Sequence, residues 1–206
     1  MGKDIAVDAA GNVYSIGQYS YYVSSGPVDL NPGPGVFNVT QPQNTTGGYY
    51  LSKLDGNGNF VWAKNYVQGV VGDAIPKVIT IDQNNNIVLA GVFGGTFDFD
   101  FGTGTYNITS TAGDIFVAKY TANGNFIWAK SMPATNAVLY DLALDTQGNI
   151  LFCGYFNGDV DMNPGPDTAL LNTPFLNAFV TKLTNTGDYV WAKHIGVGYT
   201  SAATGL

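Results

Sequence analysis

Three short phrases place two oxygen-bearing side chains two residues apart. They are Asp29 and Asn31 in VDLNPGPG, Asp98 and Asp100 in FDFDFGTG, and Asp161 and Asn163 in VDMNPGPD. In an extended chain, residues i and i+2 point to one face. Each pair could therefore reach one hard cation, with carbonyls of the following turn as further ligands. Calcium takes about six to eight oxygens at about 2.3–2.6 Å, and a net charge of −7 is compatible with it. The phrase lacks the fixed spacing and closing Glu of an EF-hand. A second reading needs no metal: Asp and Asn cap their own turns, Pro presets φ and Gly supplies positive φ. Both readings stand at this point. Asp8, Asp82 and Asp145 each end a strand before a turn and read as structural.

Other chemistry is sparse. His194 is the sole histidine and Cys153 the sole cysteine, so no Ser-His-Asp set or Cys-His pair can be assembled. One histidine also argues against zinc or copper sites built from several N or S ligands. No phosphate-cradling P-loop or GxGxxG stands in a strand–turn–helix context. Cys153 lies in the apolar run ILFCGYF and reads as a small buried hydrophobe. Carboxylates are numerous enough for a glycosidase-like pair, but nothing picks out which two. Tyr19, Tyr21 and Tyr22, near a Gln/Asn/Thr run, form a candidate contact surface for carbohydrate or protein.

The elements that position these residues recur. The triplet WAK occurs at Trp62, Trp128 and Trp191, after LDGNGNFV, YTANGNFI and LTNTGDYV. Upstream stand DIAVDAAGNVYSIGQY, VITIDQNNNIVLAGVF and DLALDTQGNILFCGYF. Each repeat reads as four short strands. In the first they are Ile5–Asp8 (A), Val13–Tyr19 (B), Tyr49–Leu54 (C) and Phe60–Tyr66 (D). Branched and aromatic residues fill the strands, and Gly, Asn and Asp fill the turns. Strands C and D carry apolar residues on both faces, as a sheet covered on both sides requires. Gly17, Gly91 and Gly154 fall inside strand B and mark a close approach or a bulge. The tryptophans read as core between sheets.

The fold class expected is all-β: three four-stranded antiparallel propeller blades, covering 1–72, 73–136 and 137–206. One such blade cannot bury both faces alone. The chain thus reads as part of a propeller, or as half of a ring closed by self-association. Its B–C connections hold the Asp/Asn pairs and share one face with the D–A connections.

The succession DxxGNxxxxG, VDxNPGPG and FVxKLxxxGxxxWAK resembles the bacterial SBBP family of β-propeller repeats, with a register similar to NHL blades. The resemblance spans essentially the whole chain. Repeat two departs from it, with Phe101 and Thr103 replacing the prolines, and repeat three has Asp167 in place of the last glycine. It implies secreted or cell-surface bacterial proteins, often long and multidomain, and no established activity.

Composition narrows the partners. Eight Lys+Arg against fifteen Asp+Glu leave no basic patch for nucleic acid. No apolar run of about 18 residues could span a membrane. The start MGKDIAVDAAG has no apolar core of a signal peptide. Charged residues make up only 11%, and polarity comes from Asn, Thr, Ser and Gly, which suits an extracellular surface. The expected function is a non-enzymatic extracellular module for scaffolding or for protein or glycan binding. The alternatives are a carbohydrate-active enzyme using carboxylates on the B–C face, and an excised or engineered fragment that self-assembles. Partners expected are a second copy completing a ring, further blades of a parent chain, or a protein or glycan ligand.

Overall fold

The computed structural model describes residues 1–20, 27–39, 47–67 and 72–196. Among them there is no helix. Fourteen strands form three four-stranded antiparallel sheets and one short ribbon. Sheet 1 contains β1 (Gly2–Val7), β2 (Val13–Ser20), β5 (Gly47–Leu54) and β6 (Phe60–Val67). Sheet 2 contains β7 (Gly72–Ile81), β8 (Ile87–Asp98), β9 (Asn107–Tyr120) and β10 (Phe126–Met132). Sheet 3 contains β11 (Ala134–Leu144), β12 (Ile150–Asp161), β13 (Leu170–Leu183) and β14 (Tyr189–Ile195). In every sheet the spatial order is the chain order, A-B-C-D. The ribbon pairs β3 (Val28–Asp29) with β4 (Asn38–Val39).

Strand A of each sheet lies beside strand A of the next, β1 against β7 and β7 against β11. The sheets therefore converge at their first strands. Two apolar clusters fill the seams. Tyr14, Ile16 and Leu51 of sheet 1 pack with Leu89, Phe93 and Phe116 of sheet 2. Val88, Ala90 and Val117, on the opposite face of sheet 2, pack with Phe152, Phe156 and Phe179 of sheet 3. Strands B and C of sheet 2, rather than the expected C and D, are buried on both faces because sheet 2 is covered on both sides, whereas strand D leaves Ile127 41% exposed.

One tight turn is used six times. In A–B connections Asp8, Asp82 and Asp145 each donate their N–H to the carbonyl four residues on, at 2.9–3.0 Å. Asp55, Thr121 and Thr184 do the same in C–D connections, at 2.8–2.9 Å. The first residue's side chain closes the ring. Asp82 Oδ1 accepts the N–H groups of Asn84 and Asn86, both at 2.8 Å.

The strand B glycines mark bulges. Gly2 pairs with Gly17 but Asp4 with Ile16, so Lys3 is the extra residue. Lys77 opposite Gly91 and Tyr140 opposite Gly154 repeat this. The bulge swings the strand A carbonyl onto the glycine: a Cβ at Gly91 would collide with the Ile75 oxygen, and one at Gly154 with the Val138 oxygen. The close approach is thus within one sheet. A second set of bulges lies in strand D, at Val61, Ile127 and Val190. Each extra residue turns to solvent, and the tryptophans after the first two, Trp62 and Trp128, are aimed at the next sheet.

The long B–C connections are hairpins rather than free loops. β8 and β9 stay paired as far as Asp98 and Asn107, and β12 and β13 as far as Asp161 and Leu170. The register breaks at Gly95 and Gly158, which have φ of +69° and +78°. There the hairpin folds back over its own sheet. Phe99 at one tip and Met162 at the other are wholly buried in the seam clusters.

Gly154→Ala is expected to lower unfolding free energy by about 2–4 kcal/mol, because the obstacle is backbone and cannot move aside. Gly94→Ala, with nothing within 4 Å of its Cβ, is expected to change it by less than about 0.5 kcal/mol. Urea denaturation of the two variants measures both.

Candidate functional site

The Asp/Asn pairs sit where each hairpin reverses, and their oxygens are engaged by the turn itself. Asp29 Oδ1 accepts the N–H of Asn31 at 2.9 Å and of Phe37 at 2.8 Å. Asp98 Oδ1 accepts those of Asp100 at 3.0 Å and Tyr106 at 2.8 Å. Asp161 Oδ1 accepts those of Asn163 at 3.1 Å and Ala169 at 2.8 Å. Asn31, Asp100 and Asn163 each take the N–H two residues on, at 2.8 Å. The N–H groups of Phe37 and Asn31 hold the Asp29 carboxyl below the usual carboxylate range. Phe101 and Thr103 replace the prolines with the same bonds in place, so the aspartates, and not Pro-Gly, carry the geometry. Among the described residues, no group of three or more His, Cys, Asp or Glu is placed to share a cation.

Tyr19 belongs to the sheet. It is 7% exposed, and its hydroxyl donates to Asn65 Oδ1 across sheet 1. Its ring is packed, which leaves little of it to meet a ligand. Tyr21 and Tyr22 lie outside the described residues. Cys153 is buried, and burial pushes its thiol up. His194 is exposed on β14, with Nδ1 3.3 Å from the Asn177 amide nitrogen. Among the described residues, no nucleophile is its hydrogen-bond partner.

On the face formed by A–B and C–D turns, two of the aspartates are paired with lysine. Lys119 meets Asp82 at 2.8 Å and Lys182 meets Asp145 at 2.7 Å. In sheet 1 a phenol takes this place: Tyr14 Oη donates to Asp8 Oδ2 at 3.1 Å, while Lys53 lies over the Tyr14 ring. Burial, then the Asp8 bond, push the Tyr14 hydroxyl up to about 12. Lys182 and Asn149 hold Asp145 well below the carboxylate range. These acids are spent on structure.

The opposite face is open above the seam between sheets 2 and 3. Two adjoining cavities of about 290 and 260 Å³ share Ala112 and Thr135. The first reaches inward to Ile75 and Ala137, and the second outward to Asp159, Asp161 and Leu170. Asp114 lines the second and is only 6% exposed. Burial pushes its carboxyl up, against the lowering pull of Ser110 and of the Ala134 N–H. The arrangement presents a buried carboxyl, two further aspartate side chains and backbone groups in one groove. It can accept hydrogen bonds from hydroxyl or amide donors.

Asp114 is a residue that repeat logic passes over, because it stands in one repeat only. Its partner Phe93 corresponds to Phe156, which pairs with Asn177. The available signal was a carboxylate inside the strand ITSTAGDIFVAKY. The bulge lysines are a second omission. Lys3 and Lys77 fall at equivalent places on neighbouring strands, and burial, then the Lys3 charge, lower Lys77 from the usual lysine range.

No family model matches the chain. It is 28% identical to an uncharacterized WD repeat-containing protein of Acanthamoeba polyphaga mimivirus, a match covering 77% of this chain and 13% of that protein. The chain thus spans about an eighth of that relative's length. Among solved structures, a Bacteroides caccae protein of unknown function is matched at 10% identity and a TM-score of 0.28, over 94% of this chain and 81% of that one. The WD-repeat likeness accords with a repeat-type β-scaffold. Among the described residues, no helix is long and apolar enough to cross a membrane.

Two outcomes test the site. Asp114→Asn, the residue that sheet 3 already uses, is expected to raise the unfolding midpoint at pH 7. A raised folded pKa means that the ionised form is penalised above it. The gain should therefore shrink as pH falls, and vanish below the unfolded value of about 4. Thermal unfolding with and without EDTA tests calcium. No change in midpoint is expected, since the turn's own N–H groups hold its aspartates, and a drop of several degrees would establish a bound cation.

Proposed function

We propose that the chain is a run of three β-propeller blades acting as a non-enzymatic binding scaffold outside the cell. The observation that carries this reading is the open groove over the blade 2–blade 3 seam. It is lined by Asp114, Asp159 and Asp161 beside apolar Ile75, Val92, Phe93 and Leu170, and among the described residues that line it there is no histidine, cysteine or lysine. Asp8, Asp29, Asp55, Asp82, Asp98 and Asp145 are committed to turns and ion pairs. The fitting ligand class is a hydroxyl- or amide-rich chain, a glycan or an extended peptide, laid along the seam. The low charge content, the Asn/Thr/Ser/Gly surface and the resemblance to SBBP repeats support an extracellular setting.

A second reading rests on Asp114. A carboxyl raised by burial, sharing a groove with Asp159 and Asp161, has the character of a general acid beside potential bases. Carbohydrate hydrolysis is the reaction class that would use it. A glycan array and a panel of chromogenic glycosides separate the two. Binding without turnover, weakened roughly tenfold by Asp161→Asn, is the expected result. Turnover abolished by Asp114→Asn with the fold intact would establish the enzyme instead.

A further inference from the structure

Each internal seam is closed by a lysine bond and a tryptophan ring running from one blade to the turn of the next, with an indole hydrogen bond added in the first seam. Trp62 Nε1 donates to the Ala122 carbonyl at 3.3 Å, and Lys53 Nζ donates to the same oxygen at 3.4 Å. The Trp62 ring and the Lys64 stem lie against Gly124. One blade on, Lys119 Nζ donates to the Asn185 carbonyl at 3.4 Å, and Trp128 and Lys130 lie against Gly187. Gly124 and Gly187 are buried by this contact, whereas Gly58, at the same place in blade 1, is exposed. The giving half stands in blade 3, as Lys182, Trp191 and the exposed Lys193.

The sheet faces show the same complementarity. Ile5 and Val7 of blade 1 are 64% and 57% exposed, while Ile79 and Leu142, the counterparts of Ile5, are 5% and 7% exposed. Above blade 1, between the hairpin tip at Leu30 and the sheet at Ser15, Tyr50 and Ser52, lies a cavity of about 310 Å³. The matching side of blade 2 is filled by Tyr14, Ile16 and Leu51. Leu151 and Val180, both half-buried, hold two of those places in blade 3. The Ser15–Ser52 hydroxyl pair, 2.8 Å apart, is no obstacle, since Thr181 is wholly buried at the position of Ser52 in the blade 2–blade 3 seam. Charge fits as well. The blade 1 turn begins with Asp55 where the internal seams have Thr121 and Thr184, and it would face Lys182 and Lys193.

We propose that blade 3 of one copy docks on blade 1 of a second copy of this chain, with Trp191 and Lys182 on the Gly56 carbonyl and Lys193 beside Asp55. The contact is head-to-tail, so it closes into a ring or propagates according to its rotation. It stands independently of what the groove binds.

Sedimentation velocity and cysteine capture test it. The chain is expected to assemble reversibly with concentration. Trp191→Ala should weaken assembly roughly thirtyfold, as loss of a buried aromatic anchor does. Lys193→Glu, at an exposed position, should weaken it with the monomer's unfolding midpoint unchanged. Mixing Lys193→Cys with Asn57→Cys copies should give a crosslinked pair. Val36→Cys, 70% exposed on the hairpin, should give none with the same partner. A folded chain that stays monomeric to about 100 µM overturns the proposal. So does assembly indifferent to both the Trp191 and the Lys193 change.

Discussion

Strand C of the second sheet carries Ile115 and Val117 on one side and Phe116, Ala118 and Tyr120 on the other, all with no exposed surface. A sheet of this kind is stable only between two others. Burial on both faces is the constraint from which the rest follows. It requires the first strands to converge. It requires strand D to bulge, so that tryptophan leaves the open edge and covers the neighbour's turn. It also requires the B–C hairpin to fold down, where Phe99 and Met162 fill the widening gap between sheets. Hydrogen bonding then sets register rather than supplying most of the driving force.

Polar groups enter this arrangement by closing backbone turns. A carboxylate that accepts two N–H groups removes two unsatisfied donors and fixes a chain reversal at once. Asp82 adds an ammonium partner on its second oxygen, and that lysine also reaches the next sheet's turn. A turn, an ion pair and a seam contact thus share one side chain. Asp114 differs: it is buried without a cation partner among its bonds, which is why its carboxyl is raised and why it stands out among the acids.

Much of the fold was legible because it is repeated. WAK and the DxxGN turns place strands A to D of the first repeat within three residues of their observed limits, and the two-sided apolarity of strand C indicates stacked sheets. Three features were not legible, each for a physical reason. The fold-back of the B–C hairpin depends on positive φ at Gly95 and Gly158, and those glycines look like any others in a chain with 27. The direction of close approach at Gly91 depends on a bulge in the partner strand. The groove arises between two sheets, so no single segment encodes it. Asp29 and Asn31 were visible as a pair, but the N–H groups that claim their oxygens come from residues two and eight positions away.

The Trp-on-turn lock has a consequence for how such a gene can lengthen or shorten. The lysine ties run from one unit to its successor, from Lys53 to the Ala122 carbonyl and from Lys119 to the Asn185 carbonyl. Duplicating or deleting a whole unit leaves each remaining junction with a donor and a receiver. A recombination point inside a unit would instead strand an indole without its carbonyl, or a turn without its cover. Growth in whole repeats is thus the least disruptive route. Copy number can drift while the chemistry of every junction stays the same.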